Sequence, residues 1–214
     1  MHNLALALHN KGYKVTGSDD EIFEPSESRL ANKGLLPESY GWFPEKISAD
    51  LDGIILGMHA RIDNPELIRA QELGVPVYSF PEFIYNQSQA KKRVVIAGSH
   101  GKTTSTAMLA SAFYRDGRDI GAVNGGVISE WGVSSRWGSD EVFVIEADES
   151  DRSFLGYDPA VVMITNVAPD HLDFYGDMDS IYEAFEGFAR NATQAIVLCA
   201  DDEGTTHLAR RLDG

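Results

Sequence analysis

A chain of 214 residues with 43% apolar side chains is long enough to bury one large core or two small ones. Its formal net charge of −15 excludes a nucleic-acid partner, because no basic surface could dominate the molecule's field. A single cysteine excludes an internal disulfide and fits a reducing cytoplasm, and no apolar run approaches the roughly 18 residues that would cross a bilayer.

In chain order, Met1–Asn10 reads as a helix that Lys11-Gly12 stops, and Tyr13–Thr16 as a strand ending in Gly17-Ser18-Asp19. An acidic residue just past a second strand is where a Rossmann-like domain meets a ribose, which makes Asp19 a candidate contact. The strand and glycine turn expected before the first helix do not precede it, so the chain reads as starting inside a nucleotide-binding unit. Gly53–Leu56 is a short buried strand leading to Gly57-Met58-His59. Asn64 as N-cap and Pro65 at the first position open a helix over Pro65–Leu73. Val75–Ser79 is a strand and Pro81–Asn86 begins a helix. Strands alternating with helices predict an α/β fold with a mostly parallel sheet. The polar stretch Gln87–Lys92 reads as a linker, dividing the chain into a truncated Rossmann-like domain over 1–89 and a P-loop-type domain over 90–214.

The second domain opens with an apolar strand over Val94–Ala97, a turn Gly98-Ser99-His100-Gly101, and Lys102-Thr103-Thr104 at the start of a helix reaching Arg115. A glycine turn between a strand and a helix start is a phosphate cradle: helical N–H groups point outward and the glycines let the backbone approach an anion. Lys102 would reach the terminal phosphates and the Thr103 hydroxyl would ligate Mg²⁺. The spacing G-x-x-G-K-T-T is shorter than the common G-x-x-x-x-G-K-[ST], so the weight rests on the flanking strand and helix, and a glycine turn with a surface lysine stays open as the alternative.

Gly117–Gly138 reads as loop with a short strand, and Trp131 and Trp137 in it, like Trp42, as packing. Glu141–Ile145 is a buried strand leading to Glu146-Ala147-Asp148-Glu149-Ser150; Ala160–Thr165 is another, leading to Asn166 and on to Asp170-His171. Ser180–Arg190 is an amphipathic helix, and Ala195–Cys199 a strand with Cys199 buried. In an open parallel sheet, ligands sit outside the carboxyl ends of the strands, so the glycine loop, Glu146 and His171 are candidates to face one crevice. An ATP–Mg²⁺ site needs that combination: a hydroxyl beside a lysine, and a carboxylate from a neighbouring strand. The imidazole of His171 would be an unusual nitrogen ligand for a second Mg²⁺. A solvated acidic loop over 148–151 and a surface histidine at 171 remain open here.

The runs Gly98–Thr104, Glu146–Asp151 and Thr165-Asn166-Val167 with Asp170-His171-Leu172-Asp173 together resemble the Mur ligases. The second half is similar to members that join L-alanine to UDP-N-acetylmuramate. The first, through Gly17–Pro25 and Gly57–Arg61, is similar to members that attach a murein tripeptide to the same sugar nucleotide. The resemblance implies an ATP-dependent, amide-forming, cytoplasmic enzyme of peptidoglycan precursor synthesis, working through an acyl phosphate on UDP-N-acetylmuramate and an amino acid or peptide. It implies that Gly98, Ser99, His100, Gly101, Lys102, Thr103, Thr104 and Asn166 bind ATP. Thr103, Glu146 and His171 would hold Mg²⁺, Lys102, Glu146 and His171 would serve catalysis, and Ser18, Asp19 and His59 would meet the sugar nucleotide. It further implies three domains, so that this chain by itself is expected to bind nucleotide weakly and not to ligate.

Overall fold

The computed structural model describes residues 1–57, 60–150 and 152–213 and divides the chain into two compact units, Met1–Ile84 and Tyr85–Gly214. His59, expected to contact the sugar nucleotide, lies outside the described residues.

In the first unit, helix α1 (His2–Asn10) buries Leu4, Leu6, Ala7 and Leu8. Helix α2 (Ser26–Ala31) follows, its Ser26 hydroxyl 2.9 Å from Nδ1 of His2. Strand β1 (Ile54–Leu56) pairs in parallel with β2 (Val77–Ser79) across helix α3 (Pro65–Leu73). The ends of α3 form as the sequence dictates. The Asn64 side chain accepts from the N–H groups of Glu66 and Leu67 at 2.9 and 3.2 Å, and Gly74 closes the helix in the left-handed region. The expected strand over Tyr13–Thr16 does not form. A strand needs a ladder partner, and among the described residues nothing pairs with this segment, whose side chains are mostly exposed; only Asp19 makes an isolated bridge, to Gly41. Helix α4 (Phe80–Ser88) runs through the division between the units. The expected linker over Gln87–Lys92 is therefore cut to three irregular residues, 89–91: α4 reaches Ser88 and the next strand starts at Lys92.

The second unit holds a six-stranded sheet in the order β5-β4-β6-β3-β7-β8. Its strands are β3 (Lys92–Ala97), β4 (Gly121–Ile128), β5 (Val133–Arg136), β6 (Val142–Glu146), β7 (Val161–Ile164) and β8 (Ala195–Leu198). All neighbours are parallel except β4 and β5, which form an antiparallel hairpin. This hairpin occupies the stretch expected to be mostly loop: glycines at 121, 125 and 126 hide the strand pattern, but flanking pairs such as Val123–Ser135 complete the ladder. Helix α5 (Lys102–Arg115) covers one face, packing Ala110 with Ile96, Ala122, Val142 and Val144. Val95, Phe143 and Ile145 alternate onto the other face and are also buried. A short helix α6 (Leu172–Tyr175) precedes α7 (Met178–Arg190), whose Phe185 and Phe188 rings pack on Phe154, and α8 (Glu203–Leu212) ends the unit. Strand β8 is an edge with Ile196 and Val197 exposed, and Cys199, expected to be buried in it, lies just past its end and is exposed.

Candidate active site

The chain order places β3 between β6 and β7, so the connection from β3 through α5 to β4 leaves in one direction while the chain later returns to β7 on the other side. A reversal of strand order of this kind marks the carboxyl ends of β3, β6 and β7 as the place where an open sheet accepts ligands. Gly98 leaves β3 with φ of 135°, and a Cβ there would stand 2.1 Å from Oγ1 of Thr165, so only glycine lets the loop pass the end of β7. The loop is braced from that side. The Ser99 N–H donates to the Asn166 carbonyl at 3.1 Å and the His100 N–H to Asn166 Oδ1 at 2.9 Å. The Asn166 amide donates back to the His100 carbonyl at 2.8 Å, which also accepts from the Thr165 hydroxyl at 2.7 Å. Ser99 and His100 thus turn their N–H groups toward β7, and Asn166 acts on the loop rather than standing free. Gly101, with φ of 80°, starts α5 with no side-chain cap among the described residues, so the N–H groups of the first helical turn face outward.

Lys102 projects from that turn. Its Nζ donates to the Gly98 carbonyl at 2.7 Å and meets the Glu149 carboxylate at 2.9–3.0 Å, with the lysine side chain 17% and the glutamate 3% exposed. Burial pushes the Glu149 carboxyl up from its ordinary value, and the Lys102 ammonium opposes that shift. Thr103, one residue on, donates its hydroxyl to Glu146 Oε1 at 2.6 Å. The other Glu146 oxygen, Oε2, accepts from the Gly125 N–H at 2.5 Å. His171 sits in the left-handed region at φ of 54°, uncommon for a residue with a side chain and held here by the turn before α6. Its Nε2 lies 3.9 Å from Glu149 Oε1 and 3.9 Å from Asp170 Oδ2. One ligand atom from each of Asp148, Glu149 and His171 falls within 4.8 Å of the others.

The structure therefore brings Lys102, Thr103, Glu146, His171 and the glycine loop to one rim. Ser18, half-buried, and Asp19, exposed, lie in the first unit in irregular backbone rather than at a strand end. The donor set fits a triphosphate with divalent cations: an uncapped helix start, one ammonium, and hard oxygen donors from a hydroxyl and several carboxylates. Two participants escape the sequence reading. Glu149 is the carboxylate that meets Lys102 and lies beside His171, yet its place in an acidic run reads as solvated loop. The Gly125 N–H is a backbone group, for which a side-chain pattern has no signal.

The chain is similar to known proteins along its whole length. Residues 1–92 match the model described as Mur ligase family, catalytic domain, and residues 96–213 match the Mur ligase middle domain. The UDP-N-acetylmuramate–L-alanine ligase of Clavibacter sepedonicus is 40% identical over 214 residues, which is 100% of this chain and 44% of that protein. This chain therefore spans less than half of that relative's length. The crystal structure of UDP-N-acetylmuramate:L-alanyl-gamma-D-glutamyl-meso-diaminopimelate ligase from Neisseria meningitides superposes with a TM-score of 0.85 at 26% identity, covering 99% of this chain and 71% of that one. UDP-N-acetylmuramate-alanine ligase from Thermotoga maritima gives a TM-score of 0.81 at 31% identity, covering 96% of this chain and 48% of that one. With both halves matched by the family's models and the phosphate-loop rim assembled, the chain belongs to the Mur ligase family.

Proposed function

We propose that this chain supplies the sugar-nucleotide-binding and ATP-binding parts of a cytoplasmic ligase that joins L-alanine to UDP-N-acetylmuramate in peptidoglycan precursor synthesis. Residues 90–214 are assigned to ATP, and residues 1–89 to the sugar nucleotide, with Ser18 and Asp19 as its candidate contacts. The observation that carries the reading is the meeting of Lys102, the Thr103–Glu146 pair and His171 at the carboxyl ends of three neighbouring strands. The choice of L-alanine rests on relatives of that printed name that are 40% identical along the whole chain.

The chemistry follows from charge. Phosphoryl transfer to a carboxylate asks a protein mainly to position its groups and to neutralise the charge on the moving phosphate. Lys102 holds an ammonium beside the loop carbonyl of Gly98, anchored by Glu149 from behind. The outward N–H groups at the start of α5 offer partial positive charge to phosphate oxygens. Thr103 and Glu146 would hold one Mg²⁺ and His171 a second, and such ions would supply positive charge against the phosphate oxygens.

The test is calorimetric titration of ATP with and without Mg²⁺. Glu146→Ala and His171→Ala should each weaken Mg²⁺-dependent binding by about tenfold or more, while binding in EDTA changes far less. If neither substitution alters it, the two-metal assignment is wrong. The fold similarity to the Neisseria tripeptide ligase supports a second reading, in which the amine is a tripeptide added to the same sugar. Because this chain by itself is expected not to ligate, the amine is tested on the enzyme with the family's third domain present: phosphate release that requires UDP-N-acetylmuramate and L-alanine supports the first reading, and a requirement for the tripeptide supports the second. Nucleotide binding without either marks a bare nucleotide-binding module.

A further inference from the structure

Strand β4 carries a device that side-chain chemistry alone does not reveal. Its parallel pairing with β6 ends at Val123–Ile145, one residue short of Glu146. Its antiparallel pairing with β5 runs Val123–Ser135 and then jumps to Ile128–Val133, so residues 124–127 stand against Ser134 alone. A bulge of this kind takes backbone groups out of the ladder and re-aims them. Here the released Gly125 N–H points at Glu146 Oε2, at 2.5 Å. The Asn124 amide donates to the Gly126 carbonyl at 2.9 Å and pins the bulge in that shape. A Cβ at position 126 would lie 2.9 Å from Cγ2 of Thr103, and one at 125 would lie 3.1 Å from Glu146 Oε2.

We propose that the bulged Asn124-Gly125-Gly126 step is a positioning element for the Thr103–Glu146 metal pair. The Gly125 N–H fixes the rotation of the Glu146 carboxylate, so that Oε1 is presented to the Thr103 hydroxyl. The bare Cα of Gly126 leaves the space that the Thr103 methyl occupies when its hydroxyl faces Glu146. One side of the pair is thus set by the helix start and the other by a backbone shelf, and neither contact involves the nucleotide itself. Outer partners of this kind orient the groups that hold a metal without touching it. The proposal rests on the nucleotide-and-metal reading of the site given above.

A coupling experiment tests it on the 214-residue chain, with Mn²⁺ as the probe metal and ADP as the nucleotide. Mn²⁺ uptake is read by electron paramagnetic resonance, and ADP binding in EDTA is measured separately. Gly126→Ala should weaken Mn²⁺ uptake by about tenfold by pressing on the Thr103 methyl, and should leave ADP binding in EDTA within about twofold. On the Thr103→Ser background, which keeps the hydroxyl and removes the methyl, the same glycine substitution should cost less than about threefold. Equal losses on both backgrounds, or no loss on either, would overturn the positioning role while leaving the nucleotide reading intact. A wild-type chain that takes up no Mn²⁺ with ADP would instead overturn the nucleotide reading. A second measurement needs no glycine variant: the Gly125 amide proton should resonate well downfield in the wild type and move upfield in Glu146→Gln. An unchanged resonance would show that the contact with the carboxylate does not exist in solution.

Discussion

At the scale of single residues, the rim is crowded in a way that makes glycine hardest to replace. Gly98 passes so close to Thr165 and to the Asn166 carbonyl that any side chain must push β7 or the loop aside. Gly98→Ala combines this overlap with a backbone angle that alanine disfavours, and is expected to destabilise the second unit by about 2–3 kcal/mol. Urea unfolding followed by circular dichroism measures that loss, and a change under about 0.5 kcal/mol would mean that the loop relaxes freely. Lys102, Thr103 and the glycines were legible from the sequence because their spacing between an apolar strand and a helix carries a physical meaning. Glu149 was not, since burial of one carboxylate in a row of acids depends on what packs around it. Here that packing includes the Tyr175 hydroxyl, which donates to the Glu149 carbonyl.

Among the secondary elements, those with strong local signals formed where the chain pattern put them. Asn64-Pro65 and Gly74 bound α3, and the continuous apolar runs became β3, β6 and β7. The hairpin of β4 and β5 was missed because its glycines serve close approach to neighbours, which a periodicity cannot register. The run over Tyr13–Thr16 failed for the opposite reason: strand propensity forms no strand where, among the described residues, no neighbouring strand lies beside it to make a ladder. Helices α7 and α8 are tied by Glu186, which accepts from Arg211 Nε at 2.9 Å and from Arg190 Nε and Nη2 at 3.1 and 3.0 Å. The Arg211 contact, reinforced by Arg190, holds the Glu186 carboxyl below its ordinary value of 4.5. A lowered folded-state value stabilises the fold above the unfolded value, and the gain is lost as pH falls from 4.5 through the lowered one. Glu186→Gln should therefore lower the urea midpoint at neutral pH by a small margin that closes under acidic conditions. A gap that is constant with pH would show that the ion pairs contribute nothing.

For the whole molecule, two compact units imply two responses to ligand. A ligand that binds only the folded form of one unit stabilises that unit, by about 2.7 kcal/mol at a hundred times its dissociation constant. Scanning calorimetry with Mg²⁺ and ADP should move the transition of residues 85–214 upward and leave that of residues 1–84 in place. UDP-N-acetylmuramate should do the reverse. A single transition that both ligands move equally would contradict the assignment of one ligand to each unit. With a net charge of −15, the anion binding proposed at the rim would draw on one lysine and helix N–H groups rather than on the field of the whole surface.

The brace between His100 and Asn166 bears on the order in which competence is acquired. Its partners are 66 positions apart, and every one of its hydrogen bonds presupposes that β7 already lies beside β3. Closing so distant a pairing is slow compared with forming a local helix turn. The nascent polypeptide can thus wind α5 early while still lacking a shaped anion pocket. The proposed affinity for a triphosphate would therefore be acquired late, as a property of the finished sheet rather than of the seven-residue signature that suggests it.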